Sequence, residues 1–291
     1  MSAPRFTPGQ LNVHSGIDDV GKIARALRGS GRRIALVPTM GALHDGHRQL
    51  MRTARRLPNA VLTASIFVNP LQFGPGEDYE RYPRPLDDDL GMCRHERVEL
   101  VFNPGRDAMY GPDEYTTVHP GPLGDELEGA ARPGHFAGVL TVVAKLFHIV
   151  RPDFAIFGEK DYQQLVLVRR MARDLNFETK IIGVPIVRDT DGLARSSRNA
   201  YLDADQRAAA VALSAALTAG MRISAEGTAA VLDAARGVLD KEPGVDVDYL
   251  ELRGRDLGPA PTLGEARLLV AARVGTTRLI DNVPVFLGEP R

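Results

Sequence analysis

Apolar residues recur along this chain with two periods. Ile17, Val20, Ile23, Ala24 and Leu27 fall on one helical stripe, with Ser15 in place as an N-cap. Ile34-Ala35-Leu36-Val37 is different: a short, continuous, partly β-branched run, as expected of a parallel strand buried on both faces. Runs of the same kind stand at residues 61–68, 98–102, 154–157 and 181–184, and residues 11–14 read as a short first strand. Helical patterns lie between them: Leu50, Met51, Ala54 and Leu57 after Gly46, residues 86–95, residues 139–150, and Leu165, Val166, Val168 and Met171. Strand and helix in alternation predict an α/β fold with a Rossmann-like doubly wound parallel sheet. Pro38 is expected to end the first long strand, because it has no N–H to give. Residues 103–134 carry many Gly and Pro and little periodicity.

The pattern changes near Pro185. Residues 204–219 and 228–239 read as Ala-rich helices, and residues 246–252, 267–273 and 277–286 as strands, with Gly275 at a turn. This predicts a smaller α+β C-terminal domain over residues 187–291, after a Rossmann-like domain over residues 1–186.

Candidate chemistry gathers where strands give way to helices. Pro38-Thr39-Met40-Gly41-Ala42-Leu43-His44-Asp45-Gly46-His47 bridges the first long strand and the next helix. Such a junction offers a tight turn through its glycines and an anion site at the helix N-terminus. His44 and His47 form the H-x-G-H pattern of adenylyl-transferring enzymes, in which imidazoles stabilise charge building on the α-phosphate of ATP. A second junction, Phe157-Gly158-Glu159-Lys160-Asp161-Tyr162-Gln163-Gln164, places Lys160 for phosphate and Asp161 for ribose, with Gln164 one turn on. In Arg195-Ser196-Ser197-Arg198, two hydroxyls, backbone N–H groups and a guanidinium suit a triphosphate.

The loop opening at Phe67-Val68-Asn69-Pro70-Leu71-Gln72-Phe73-Gly74 sets two amides among apolar residues, which fits recognition of hydroxyls and carboxylates. Asp87-Asp88-Asp89 invites a metal reading, but carboxylates opening a helix are also what its dipole favours, and that reading is preferred. Arg132 and His135, just before the helix at 139–150, either meet an anion or belong to a surface loop; the sequence leaves both open.

Composition narrows the partners. The 291 residues are 44% hydrophobic with a formal net charge of -1, so neither nucleic acid nor an acidic membrane is an expected partner. No apolar run is long enough to span a bilayer, and the first residues lack the apolar core of a signal peptide, so a cytoplasmic location is expected. Cys93 is the one cysteine, which excludes an internal disulfide and makes a bland buried thiol the simplest reading.

Taken together, the histidine junction, the Asn69–Gln72 loop, the Gly158–Gln164 junction and Ser196-Ser197-Arg198-Asn199-Ala200-Tyr201-Leu202 resemble the pantothenate synthetase family, in order and over nearly the whole chain. The resemblance implies ATP-dependent joining of (R)-pantoate to β-alanine through a pantoyl-adenylate, with magnesium and no protein metal ligand assigned, on a fold of the HxGH nucleotidyl-transferase type, in a homodimer. It implies catalytic roles for His44, His47, Asn69, Lys160 and Arg198. It implies ATP contacts from Pro38, Thr39, Met40, Gly41, Gly46, His47, Gly158, Glu159, Lys160, Asp161, Val187, Arg195, Ser196, Ser197 and Arg198. Met40, Asn69, Gln72 and Gln164 would hold the acid substrate. Arg195 stands where many relatives carry an apolar residue, and Asp45 where others carry Glu.

Overall fold

The computed structural model describes residues 4–112 and 116–288. In chain order the first part runs β1 (Asn12–His14), α1 (Ile17–Gly29), β2 (Arg33–Thr39), α2 (Asp45–Arg55), β3 (Ala60–Ile66), α3 (Leu86–His95), β4 (Leu100–Phe102), α4 (Arg106–Met109), α5 (Glu128–Ala131), α6 (His135–Val150), β5 (Phe154–Gly158), α7 (Tyr162–Asp174) and β6 (Lys180–Val184). The remainder is α8 (Ala204–Arg222), α9 (Thr228–Leu239), β7 (Val245–Gly254), β8 (Gly264–Val274) and β9 (Thr277–Leu287). The chain divides into two compact units: one of the described residues up to Glu159 with Leu167–Val184, the other of Lys160–Val166 with the described residues from Pro185 onward.

Six strands of the first unit form a parallel sheet in the order β1-β4-β3-β2-β5-β6. The chain steps one way across it from β2 to β3 to β4, and the other way from β4 to β5 to β6. Right-handed crossovers then put α2 and α3 on one face and α1, α6 and α7 on the other. Side-chain packing agrees. Ala35, Val37, Leu62, Ala64, Ile66, Val101 and Ile156 form one core with Leu50, Met51, Ala54 and Cys93. Alternate residues such as Ile34 and Leu36 are buried as completely on the opposite side, where α1 and α6 meet β2. The doubly wound sheet expected from the strand–helix alternation is therefore present, and its direction reverses between β2 and β5. A ligand crevice is expected at the carboxyl ends of those two strands.

Several local expectations are corrected. Pro38 does not end β2, which continues to Thr39 with Pro38 opposite Ser65 of β3. The Asp153 N–H donates to the Ile34 carbonyl and the Phe67 N–H to the Thr39 carbonyl, so even-numbered residues of β2 turn their backbone groups toward β5. Pro38 therefore leaves the pairing with β3 intact, and it is the pairing with β5 that stops, at Leu36. Gly16, not Ser15, caps α1, and does so without a side-chain bond. α2 begins at Asp45, ahead of Gly46, and α6 begins at His135, four residues earlier than its apolar stripe implied. The unperiodic stretch after β4 holds the short helices α4 and α5.

In the second unit β7, β8 and β9 form an antiparallel sheet in that order. Every second inward residue of it, including Leu250, Leu252, Leu268, Val270 and Val285, packs on Leu213, Leu217, Val231 and Ala235 of α8 and α9. Among the described residues no helix is long and apolar enough to cross a membrane. Cys93 is buried, and burial pushes its thiol up to about 12, so it is inert as a nucleophile, as the sequence suggested.

Candidate active site

The turn after β2 is built from backbone donors. The Thr39 hydroxyl donates to the Ser65 carbonyl and accepts from the Gly41 N–H. Gly41 and Ala42 both have positive φ, at 82° and 50°. Asp89 of α3 stabilises this costly pair: its carboxylate accepts from Ala42 N at 3.0 Å and Leu43 N at 2.7 Å. Asp89 is buried, and burial pushes its carboxyl above the ordinary range against the pull of those two N–H groups. Asp87–Asp89 do open α3, as the preferred reading had it, and Asp89 in addition braces the turn.

The histidines cap α2 reciprocally. His44 Nδ1 accepts from the Gly46 N–H at 3.1 Å, and His47 Nδ1 accepts from the His44 N–H at 3.2 Å. Two of the four orphan donors of the helix start are thereby satisfied. Accepting at Nδ1 also determines the tautomer: each neutral ring carries its proton on Nε2. The ring centroids lie 4.2 Å apart. Imidazoles that donate from Nε2 at a helix N-terminus are chemically suited to an oxyanion.

Beside this turn, Gln72 ends a 3-10 turn over Pro70–Gln72, and its amide is held in one orientation. Asn69 Nδ2 donates to Gln72 Oε1 at 3.1 Å and to the Gly138 carbonyl at 3.1 Å. Asn69 Oδ1 accepts from the Tyr110 hydroxyl at 2.7 Å and from Leu71 N at 3.3 Å. Donors and acceptors match at all four contacts, so Gln72 Nε2 is left pointing to the Met40 thioether at 3.0 Å. A thioether is a weak acceptor, and an oxygen of a ligand would displace it readily.

Arg132 and His135 serve this loop rather than an anion. Arg132 forms a two-pronged pair with Glu77, at 2.8 and 2.6 Å, and its Nη2 also donates to the Gln72 carbonyl at 3.2 Å. Burial raises the Glu77 carboxyl, but the Arg132 guanidinium pulls it below its ordinary value overall. His135 Nδ1–H donates to the Gln72 carbonyl at 2.7 Å, while its Nε2 accepts from Arg132 Nη1 at 3.1 Å. A second ring proton would face the guanidinium. Burial, and then that positive charge, lower the imidazole from 6.5 to about 4.

The sign of the consequence follows. The unfolded chain takes up this proton near pH 6.5 and the folded one near 4, so stability is full above 6.5 and is lost as pH falls toward 4. The loss attributable to His135 is about 3 kcal/mol at one proton and 1.36 kcal/mol per pKa unit. Urea unfolding at pH 7 and pH 4.5 should show it in the wild type and show much less in His135→Asn, which keeps a donor for the Gln72 carbonyl. Equal losses in both proteins would refute the assignment.

The remaining candidates lie along β5 and in the second unit. Gly158 closes β5, Glu159–Asp161 form a 3-10 turn, and Gln164 stands half-buried in the first turn of α7. Lys160 Nζ is 3.7 Å from Asp161 Oδ1. The segment from Val187 doubles back through Gly192, so that Arg195 N donates to the Val187 carbonyl at 2.9 Å. The Arg195 guanidinium pairs with Asp189, which also holds Arg207 at 2.7 Å. Ser196 caps the following 3-10 turn by accepting from Arg198 N at 3.2 Å.

The structure thus brings together Met40, Asn69 and Gln72 in the first unit, and pairs His44 with His47 there. Lys160, Asp161 and Gln164 fall in the second unit with Val187 and Arg195–Arg198. Sequence reasoning missed Tyr110 and Gly138. Tyr110 sits in the unperiodic stretch, and Gly138 falls just before the helix that the apolar stripe marks from Val139, where nothing singles it out.

Comparison with known proteins identifies the family. The family model described as pantoate-beta-alanine ligase matches residues 12–284. The pantothenate synthetase of Saccharopolyspora erythraea is 66% identical over 99% of this chain and 95% of its own, and that of Mycolicibacterium smegmatis 63% identical over 98% and 91%. Among solved structures, pantothenate synthetase from Thermus thermophilus superposes with a TM-score of 0.87 at 45% identity, covering 94% of this chain and 98% of its own. Pantoate-beta-alanine ligase from Francisella tularensis, solved with beta-gamma ATP and beta-alanine, gives 0.79 at 32% identity over 94% and 97%. With the family model spanning nearly the whole chain and relatives this similar over more than nine-tenths of their own lengths, the chain belongs to the pantoate-beta-alanine ligase family.

Proposed function

We propose that this ligase joins (R)-pantoate to β-alanine through a pantoyl-adenylate, with release of AMP and pyrophosphate, and that the residues above divide the work as follows. His44 and His47 present Nε2–H donors to the ATP phosphates, where negative charge grows as the pantoate carboxylate attacks. Met40, Gly41 and Gly46, with Pro38 and Thr39, let the nucleotide approach the backbone closely. Lys160 neutralises phosphate charge, Ser196, Ser197 and Arg198 take the triphosphate, Asp161 accepts from ribose, and the backbones of Gly158, Glu159, Val187 and Arg195 line the nucleoside. Gln72 and Gln164 hold pantoate, and Asn69 orients Gln72. Excluding water protects the adenylate until the β-alanine amine attacks its carbonyl carbon and AMP leaves. Residues 187–291 act as a smaller domain that closes over the substrates, in a cytoplasmic homodimer.

The observation that carries this reading is the reciprocal histidine cap, which gives two Nε2–H donors at one helix start. Magnesium is expected to arrive with the nucleotide. Among the described residues no group of three or more His, Cys, Asp or Glu could hold a metal, and Asp89 directs its two oxygens to Ala42 and Leu43. Bound with the nucleotide, the ion would offset phosphate charge.

Product analysis with ATP, magnesium and pantoate tests the reaction. AMP and pyrophosphate are expected, with pantothenate only when β-alanine is added; ADP and phosphate would indicate an acyl-phosphate route instead. His44→Ala, His47→Ala and Lys160→Ala should each slow adenylation by about a hundredfold or more, and the two histidine variants should also lose about 1 kcal/mol of stability with the α2 cap. A folded variant that forms the adenylate at the normal rate would remove that residue from the mechanism.

A further inference from the structure

The second unit contains a buried polar cluster that these roles leave unused. Arg267 of β8 is only 5% exposed, and its guanidinium lies 4.0 Å from the centre of the Tyr162 ring. Its Nε donates to Asn282 Oδ1 at 2.7 Å. Asn282 of β9 is also buried, and its Nδ2 donates to the Lys160 carbonyl at 2.9 Å. The Tyr162 hydroxyl donates to the Arg255 carbonyl at 2.8 Å. Residues on both sides of Asp161 are therefore tied to the antiparallel sheet. Asp281, the preceding residue of β9, holds the other nucleotide-directed segment. Its carboxylate takes the Arg188 guanidinium at 2.6 and 2.9 Å, and Arg188 Nη1 also donates to the Gly192 carbonyl at 3.0 Å, within the turn that brings Arg195 back to Val187.

Burying a guanidinium and a carboxylate here costs desolvation that an apolar filling of the same sheet would avoid. What the polar set supplies is direction. An amide has distinct ends, and Asn282 satisfies the Arg267 donor and the Lys160 acceptor in one orientation only. We propose that Asn282 is a positioning residue for Lys160, and that the adjacent pair Asp281–Asn282 holds both nucleotide-directed segments in one arrangement for the adenylation step. This rests on the reading of Lys160 as a phosphate ligand.

Asn282→Asp is the discriminating variant. Its carboxylate still accepts from Arg267, but it has no N–H for the Lys160 carbonyl and sets an oxygen against it. Pantoyl-adenylate formation should slow by about ten- to a hundredfold, the range in which small misplacements of a catalytic group act. The rate of β-alanine attack on pre-formed adenylate should change little. Asn282→Ala, which removes both bonds, and Lys160→Ala are measured beside it, with every rate expressed per folded molecule from unfolding curves. Slow adenylation in Asn282→Asp and Asn282→Ala with an intact second step supports the proposal. Normal adenylation per folded molecule in both Asn282 variants, beside a slow Lys160→Ala, overturns it and leaves the reading of Lys160 standing. Loss that falls equally on both steps also overturns it, since that is the mark of a purely structural role. Normal adenylation by Lys160→Ala removes the reading of Lys160 and the proposal with it.

Discussion

Gly46→Ala should slow adenylation by about a hundredfold without destabilising the protein, the scale at which misdirected catalytic groups act. A Cβ built on Gly46 would lie 2.7 Å from His44 Cε1 and 2.9 Å from its Nδ1. No real Cβ sits so close, and the ring is the part that can move. Swinging it away breaks the bond from the residue-46 N–H to Nδ1, and with it the constraint that directs Nε2–H. The cap bond lost to the helix, worth about 1 kcal/mol, is offset by the gain in helix propensity. Alanine in place of glycine within a helix is favourable by up to about 1 kcal/mol, and Gly46 lies in the first turn of α2. Activity and stability should therefore part company. Rapid-quench measurement of adenylate formation and a urea unfolding curve on the same preparation check this. Normal adenylation in Gly46→Ala would mean that the observed His44 geometry is not the working one.

Gly138→Ala should do the opposite, harming substrate binding and stability together. Its Cβ would lie 2.2 Å from the Leu71 carbonyl oxygen and 2.6 Å from Gln72 N, and these are backbone atoms of the turn that carries Gln72. The turn must retreat from α6, and Asn69 loses its contact with the Gly138 carbonyl. Overpacking of this kind costs about 1–3 kcal/mol. The Michaelis constant for pantoate should rise at least about tenfold, because the Gln72 donor is misplaced against an acceptor it must reach. The constant for ATP should change far less. A Gly138→Ala enzyme with a normal constant for pantoate would show that Gln72 does not set the acid site.

Both glycines stand in the sequence, yet only Gly46 could be read there. It sits between two histidines at the end of an apolar run, and strand ends, turns and helix starts are properties of adjacent residues. The same locality made the six parallel strands, α3 and α9 legible, and placed His44, His47, Gln72, Lys160 and Gln164 as candidates. Where one local rule pointed the wrong way, a neighbour outside the window decided. Pro38 stays within β2 because its missing N–H lies on the β5 side, so the pairing with β3 continues past it.

The chain by itself determined the kind of elements, their order and the identity of the groups that can meet phosphate and acid. Only the tertiary structure decided which way those groups point. Asp89 braces a turn 46 residues before it, Tyr110 reaches Asn69 across 41 residues, Gly138 admits the Gln72 turn, and Asn282 meets Lys160 across 122. Arg132 and His135, read as a choice between an anion site and a surface loop, became a clamp on the Gln72 carbonyl. The reason is physical. Propensity and periodicity depend on near neighbours, whereas the orientation of an amide or an imidazole depends on which donors and acceptors packing brings to it, and here those lie on other elements of the fold.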